Sequence, residues 1–168
     1  MNVLITAASR HGSTDEVART IAEQLMLAGV DAEFRAPDTV LALDGYRAII
    51  VGSAVYVGQW MAPARDFVER FEAELRARPT WLFSVGPLGD PPKPADEPSE
   101  IAALVERVDA RGHRLFAGSL ERARLGIAER AVIRLVKAPY GDFRRWDDVR
   151  AWAKQIAATL TREPASAR

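Results

Sequence analysis

Six residues in a row, Ser9, Arg10, His11, Gly12, Ser13 and Thr14, follow a short apolar run that ends at Thr6 and precede a helical pattern that sets in near Val17. The first turn of a helix leaves four backbone N–H groups unpaired and carries a partial positive charge, so a loop of this composition is an anion site. Ser9, Ser13 and Thr14 add hydroxyl donors, Arg10 adds charge, and Gly12 permits backbone conformations and close approach that a Cβ would block. Phosphate is the natural guest. The Gly-Lys-Ser/Thr ending of a triphosphate loop and the Gly-x-Gly-x-x-Gly dinucleotide pattern are both absent, which leaves a single phosphate as the better fit. Two plainer roles compete: Ser13 or Thr14 as an ordinary helix cap, and His11 as a solvated loop residue rather than a second donor. His113, at a strand start, is read as structural.

Two further loops carry residues suited to a flat ring. Ser53 to Trp60 sets Tyr56 and Trp60 beside Gly58 and polar groups, and Gly86, Pro87, Leu88, Gly89 and Asp90 form a turn whose backbone can approach a ring edge. For Tyr56 and Trp60 the competing role is packing against the helix that follows.

Positioning these loops together requires a sheet. Apolar runs alternate with helical periodicity, the sequence form of repeated βαβ units. Val3 to Thr6, Ala32 to Arg35, Arg47 to Ser53, Thr80 to Val85 and His113 to Ala117 read as five strands. Helices follow from the spacing of Val17, Ile21 and Leu25; of Phe67, Val68, Phe71 and Leu75 behind Pro63; of Ile101, Leu104 and Val108 behind Ser99; of Leu125 to Lys137; and of Val149, Trp152, Ile156 and Leu160. Gly86 to Pro98, with five prolines, is a loop. The expected fold is α/β with a doubly wound parallel sheet. In such a sheet ligands sit outside the carboxyl ends of the strands, where the loops after strands one, three and four converge.

At 168 residues with 48% hydrophobic and 27% charged residues, the chain is expected to form one domain, 1–168. A globule of this size buries roughly 69% of its unfolded surface and needs no metal or disulfide staple. With no cysteine, disulfide scaffolds, thiolate zinc sites, iron–sulfur clusters and cysteine nucleophiles are excluded. No run approaches the roughly 20 apolar residues of a membrane span, and the N-terminal run reads as a strand rather than a leader, so a cytoplasmic location is expected.

Zero net charge hides an uneven distribution. Residues 1–110 carry 10 basic and 17 acidic groups, whereas residues 111–145 carry 9 and 3. Such a basic segment suits an anionic ligand, a lipid surface or a partner patch, or else its arginines pair with the acidic part of the chain. Within it Ile127, Ala128, Ala131, Val132, Leu135 and Val136 fall on one half of a helix, with Glu129, Arg130, Arg134, Lys137 and Ile133 on the other. The expectation is a core-packed apolar half with a solvated basic side; the alternative is a helix that receives substrate carboxylates or touches anionic lipid.

Ser9, Gly12 and Thr14 meet the Ser/Thr-x-x-Gly-x-Thr pattern of the flavodoxin-like family, which the chain resembles. More narrowly, "ASRHGSTDEVA", "VGSAVYVGQW", "FAGSL" and "GDFRRWDDVRAWA" resemble the branch of menaquinone-dependent protoporphyrinogen IX dehydrogenases and their actinobacterial-type relatives, across nearly the whole chain. The resemblance implies a flavodoxin-like three-layer fold with five parallel strands in order 2-1-3-4-5, FMN as cofactor and no metal. Ser9, Arg10, His11, Gly12, Ser13 and Thr14 would hold its phosphate; Tyr56, Val57, Gly58 and Trp60 would contact ribityl and ring; Gly86, Pro87, Leu88 and Gly89 would border the ring's other side. It also implies a flavin-dependent, quinone-linked dehydrogenase of heme biosynthesis, with a porphyrinogen-type donor, a quinone acceptor, peripheral membrane contact through the basic segment and no nucleic acid. Arg122, Arg124, Arg130 and Arg134 are the candidates for substrate carboxylates, and Leu120 to Phe143 would correspond to the insertion of long-chain flavodoxins and frame the active-site entrance. No residue stands out as a general base. The alternatives are a flavodoxin-type electron carrier docking to protein redox partners, and a flavin-free interaction module that keeps only the fold.

Overall fold

Val3 to Ala8 are six consecutive buried residues in the first strand, β1 (Asn2–Ala8), as a strand covered on both faces requires. The computed structural model describes residues 2–56, 58–86, 99–121, 124–136 and 140–163. β1 lies between β2 (Asp31–Arg35) and β3 (Ala48–Tyr56), both parallel to it, with Ile5 opposite Phe34 and Ile50. β3 turns back at Gly58 (φ +74°) into the short antiparallel strand β4 (Gln59–Trp60). β5 (Thr80–Val85) pairs with β3 and β6 (His113–Phe116) closes the far edge. The order β2-β1-β3-β5-β6 is the expected 2-1-3-4-5 topology.

One face is covered by α1 (Ser13–Leu27) and α6 (Trp146–Arg162), whose Val17, Ile21, Leu25, Val149, Trp152 and Ile156 pack with Val3, Ile5, Ile50 and Phe83. The other is covered by α2 (Ala62–Arg70), α3 (Glu72–Arg76) and α4 (Ser99–Arg107), whose Phe67, Val68, Leu75 and Ile101 pack with Leu4, Ile49, Val51 and Leu82. Each such side chain contributes roughly 1.5–3 kcal/mol of transfer free energy. That burial, spread over both faces, is what holds the strand ends rigid for a site at their carboxyl edge.

Three local readings change. The loop expected over Ser53 to Trp60 is strand as far as Tyr56, because Val55 pairs with Trp60 and Tyr56 with Gln59. The helix expected to run through Leu75 breaks at Phe71 (φ −113°, ψ 21°), whose ring packs against Phe67 at 5.0 Å between centroids. The third change concerns the basic segment. Antiparallel strands β7 (Ser119–Leu120) and β8 (Gly141–Asp142) staple the two ends of an excursion that leaves the layers, and α5 (Ile127–Val136) lies within it. Its apolar half does not pack into the core: Ile127 is 88% exposed and Leu135 82%, while Glu129, Arg130 and Ile133 are the half-buried residues. The sheet faces were already filled by five other helices, so α5 turns its charged side toward the protein.

Candidate functional site

A cavity of about 350 Å³ opens at the carboxyl ends of β1, β3 and β5. Its floor is the turn between β1 and α1, its walls are Ala54, Val55 and Tyr56 from β3 with Val85 and Gly86 from β5, and its roof is Leu120, Leu125, Val132 and Ile133 from the excursion. Apolar walls with hydroxyl and N–H donors gathered at one end suit a flat apolar body with an anionic tail.

The floor is built by backbone geometry. Gly12 sits at φ +84°, the left-handed region, and a Cβ there would meet the Arg124 guanidinium at 3.5 Å. This turn aims the N–H groups that begin α1 back at Ser9, whose Oγ accepts from Gly12 N at 2.9 Å and from Thr14 N at 3.3 Å. These N–H groups now meet the Ser9 hydroxyl oxygen, and a phosphate oxygen would suit the same kind of donors. Thr14 is buried, and Ser13 Oγ accepts from Ser119 N at 3.3 Å, tying the turn to β7.

Two carboxylates bind the excursion to this floor. Glu129 of α5 lies 2.5 Å from Arg10 Nε and 3.3 Å from His11 Nε2, the latter without hydrogen-bond alignment, and accepts from Gly126 N at 2.9 Å. The Gly126 N–H first, then His11 and Arg10, hold the Glu129 carboxyl below the usual range. Glu16, in the first turn of α1, receives Arg124 from before α5 and Arg144 from beyond it. Arg124 also donates to the His11 carbonyl at 2.9 Å and pairs with Glu121 at 3.0 Å. Burial pushes the Tyr56 phenol up, opposed by the Arg10 guanidinium 5.9 Å from its ring, so Tyr56 presents a neutral ring to the cavity.

The expected residues divide accordingly. Ser9, Arg10, His11, Ser13, Thr14, Tyr56 and Gly86 line the cavity, with Gly12 in the same turn, and Arg124 lines it as a strut. Gly58 is exposed at the hairpin turn outside it. Trp60 is 2% exposed in the core and donates from Nε1 to Ser84 Oγ at 2.8 Å, so its packing role prevails over ring contact. Ser84 Oγ in turn lies 2.8 Å from His113 Nε2. Arg130 faces inward with a buried Nε that has no hydrogen-bond partner, and Arg134 is exposed on the outer side. Val57, Pro87, Leu88, Gly89 and Arg122 lie outside the described residues. The sequence did not single out the roof residues Leu120, Leu125, Val132 and Ile133 one by one, though the resemblance put the segment Leu120 to Phe143 that holds them at the site entrance; a local signal was Ile133 standing among charges.

Known proteins resemble this arrangement at several levels. The model of the family described as Flavodoxin domain matches residues 4–146. Protoporphyrinogen IX dehydrogenase (quinone) of Escherichia coli K12 is 23% identical, over 98% of each chain. Among solved structures, a flavodoxin from the domain Archaea has a TM-score of 0.67 at 15% identity, covering 96% of this chain and 99% of that one. Rubredoxin oxygen:oxidoreductase of Desulfovibrio gigas has a TM-score of 0.68 at 14% identity, covering 98% of this chain but 37% of that one.

Proposed function

This chain belongs to the flavodoxin domain family, and from that premise we propose that it is an FMN-dependent oxidoreductase of the protoporphyrinogen IX dehydrogenase (quinone) type, taking electrons from a porphyrinogen-like donor and delivering them to a quinone. The observation that carries the reading is the cavity itself, with an oxygen-accepting cradle at one end and apolar walls and roof along the rest. The full-length similarity to the E. coli enzyme supports the choice of donor and acceptor.

When bound, FMN supplies the two-electron redox chemistry. The chain supplies position and environment. Ser9, Gly12, Ser13 and Thr14 would hold the phosphate at the start of α1, where the helix dipole favours negative charge. Arg10 would add charge to it on leaving Glu129. Tyr56 and Gly86 would flank the ring from two strand ends, with Val57, Pro87, Leu88 and Gly89 remaining expectations of the resemblance. Val132, Ile133, Leu120 and Leu125 would exclude water above it, which strengthens every electrostatic contact inside. Among the described arginines expected to meet substrate carboxylates, Arg130 stands one turn before Ile133 on the same half-buried face with an unsatisfied Nε. Arg124 is committed to the strut that closes the roof.

The test is to load the protein with FMN, reduce it anaerobically, and add a menaquinone analogue; in the reverse direction, the oxidised holoprotein is offered protoporphyrinogen. Bleaching and return of the flavin bands with both small molecules is expected. Failure with both, alongside rapid exchange with a protein acceptor, establishes the electron-carrier alternative instead.

A further inference from the structure

We propose that Glu100 is a positioning residue for the ring-binding half of the cavity: its carboxylate, on α4, fastens the β3–β4 hairpin and so sets where Tyr56 stands against Gly86. The inference rests on the flavin reading above and adds to it a residue that acts through others.

Tyr56 ends β3, and the return strand that holds it, β4, has only two residues. Val55 pairs with Trp60 and Tyr56 with Gln59. An antiparallel pair this short is marginal on its own, and side chains make up the difference. Trp60 N donates to Glu100 Oε2 at 2.9 Å, and Met61 N donates to Ser53 Oγ at 2.9 Å. The Trp60 indole donates to Ser84 Oγ at 2.8 Å, just before Val85 and Gly86 of the opposite cavity wall. One residue thus ties the hairpin to α4 by its backbone and to β5 by its side chain. The register sets Ala54 beside Val85, and a Cβ on Gly86 would meet the Val55 carbonyl oxygen at 3.7 Å. The spacing of the two walls therefore follows from how Trp60 is held.

Among these ties the one to Glu100 carries charge. An amide donating to a carboxylate makes a bond roughly twice as strong as a neutral one, and Trp60 is a buried residue, in which an N–H stripped of its acceptor costs its full desolvation. Glu100 stands in the first turn of α4, where the helix end favours negative charge. Its other oxygen lies 3.4 Å from Arg65 Nη1 of α2. Since α2 follows β4 and α4 follows β5 in the chain, a single carboxylate joins the segment leaving one cavity wall to the segment leaving the other.

The experiment compares Glu100→Ala and Glu100→Gln with wild type by fluorescence titration with FMN and with riboflavin. Glu100→Ala should weaken both flavins by the same factor, about tenfold, because the ring side is loosened and the phosphate cradle is not. Glu100→Gln keeps an acceptor oxygen and should restore most of that loss. Visible circular dichroism of the bound flavin should change in the alanine variant and not in the glutamine one. Without ligand, amide exchange in Glu100→Ala should rise at Tyr56, Trp60 and Met61 while α6 exchanges as in wild type. Unchanged affinity for both flavins in Glu100→Ala overturns the proposal, and so does a loss confined to FMN, which would place Glu100 with the phosphate. Exchange raised across the whole sheet, or a loss that Glu100→Gln does not restore, overturns it as well, by leaving Glu100 a part of general stability. Wild-type protein that binds neither flavin refutes the flavin reading and this role with it, whereas each of the other adverse outcomes leaves that reading standing.

Discussion

Arg144 donates from Nη1 to Glu16, 128 residues earlier in the chain, and from Nε and Nη2 to Asp142. Its guanidinium lies 4.6 Å from the Trp146 ring centroid, and its side chain is only 7% exposed. Arg124 reaches the same Glu16 from the other arm of the excursion. A single carboxylate on α1 therefore fixes both ends of the roof. Because Glu16 is itself half exposed, its bond to Arg144 should couple by about 1 kcal/mol. A double-mutant cycle on Glu16→Gln and Arg144→Gln, read from urea midpoints, measures that energy; additive effects would mean that the pair holds nothing together.

Packing at the centre of the sheet makes Gly52 irreplaceable. A Cβ there would stand 2.0 Å from Phe83 Cζ, inside a ring cluster with Phe116 and Trp152. Gly52→Ala should destabilise the fold by about 1–3 kcal/mol or more through overpacking. Adding Phe83→Leu should then cost less than it does in the wild-type background. Denaturant unfolding of the three variants distinguishes this from a glycine needed only for backbone freedom, for which the two changes would add.

Acid should release the roof. The Glu129 carboxyl has a folded-state pKa below its ordinary value of 4.5, and Asp142 is lowered in the same direction by its bonds to Arg144. A depressed carboxylate stabilises the folded form above its unfolded pKa, and the contribution is lost as pH falls through the folded one. Amide exchange in α5, corrected for intrinsic rates, should therefore be slow from neutrality down to about pH 4.5 and rise below it. Glu129→Gln should remove most of that pH dependence; an unaltered profile would separate Glu129 from roof closure.

Arg130 offers a kinetic test. If its unsatisfied Nε meets a substrate carboxylate, Arg130→Gln should raise KM for a carboxylated donor about tenfold, the worth of a hydrogen bond to a charged group. FMN affinity and the turnover number with a quinone should stay unchanged. A loss of FMN binding instead would make Arg130 part of the cofactor site.

The strands and the helices that cover them were legible in the residue pattern because their driving force is local, whereas the sheet order, a matter of pairing between distant strands, came with the family resemblance. Continuous apolar runs such as Ala48 to Val51 and the stripe of Val149, Trp152 and Ile156 declare burial directly. The turn at Ser9 to Thr14 was legible for the same reason, since its chemistry lies in adjacent residues. Trp60 was not, because its choice between core and cavity depends on Ser84, 24 residues away, accepting its Nε1–H. Nor was the orientation of α5. Its periodicity fixes that two faces exist, but which one turns inward is decided by Arg10 and His11 drawing Glu129 down, a pairing no local rule contains.

Thr14 is the residue on which the cofactor account can be pressed hardest, since it is buried at the start of α1 and its exchange for valine keeps the volume. Titration calorimetry should find one FMN per chain, riboflavin bound far more weakly, and FMN affinity reduced by about 1–2 kcal/mol in Thr14→Val. Riboflavin binding as tightly as FMN, or no heat with either, would contradict a phosphate cradle between β1 and α1.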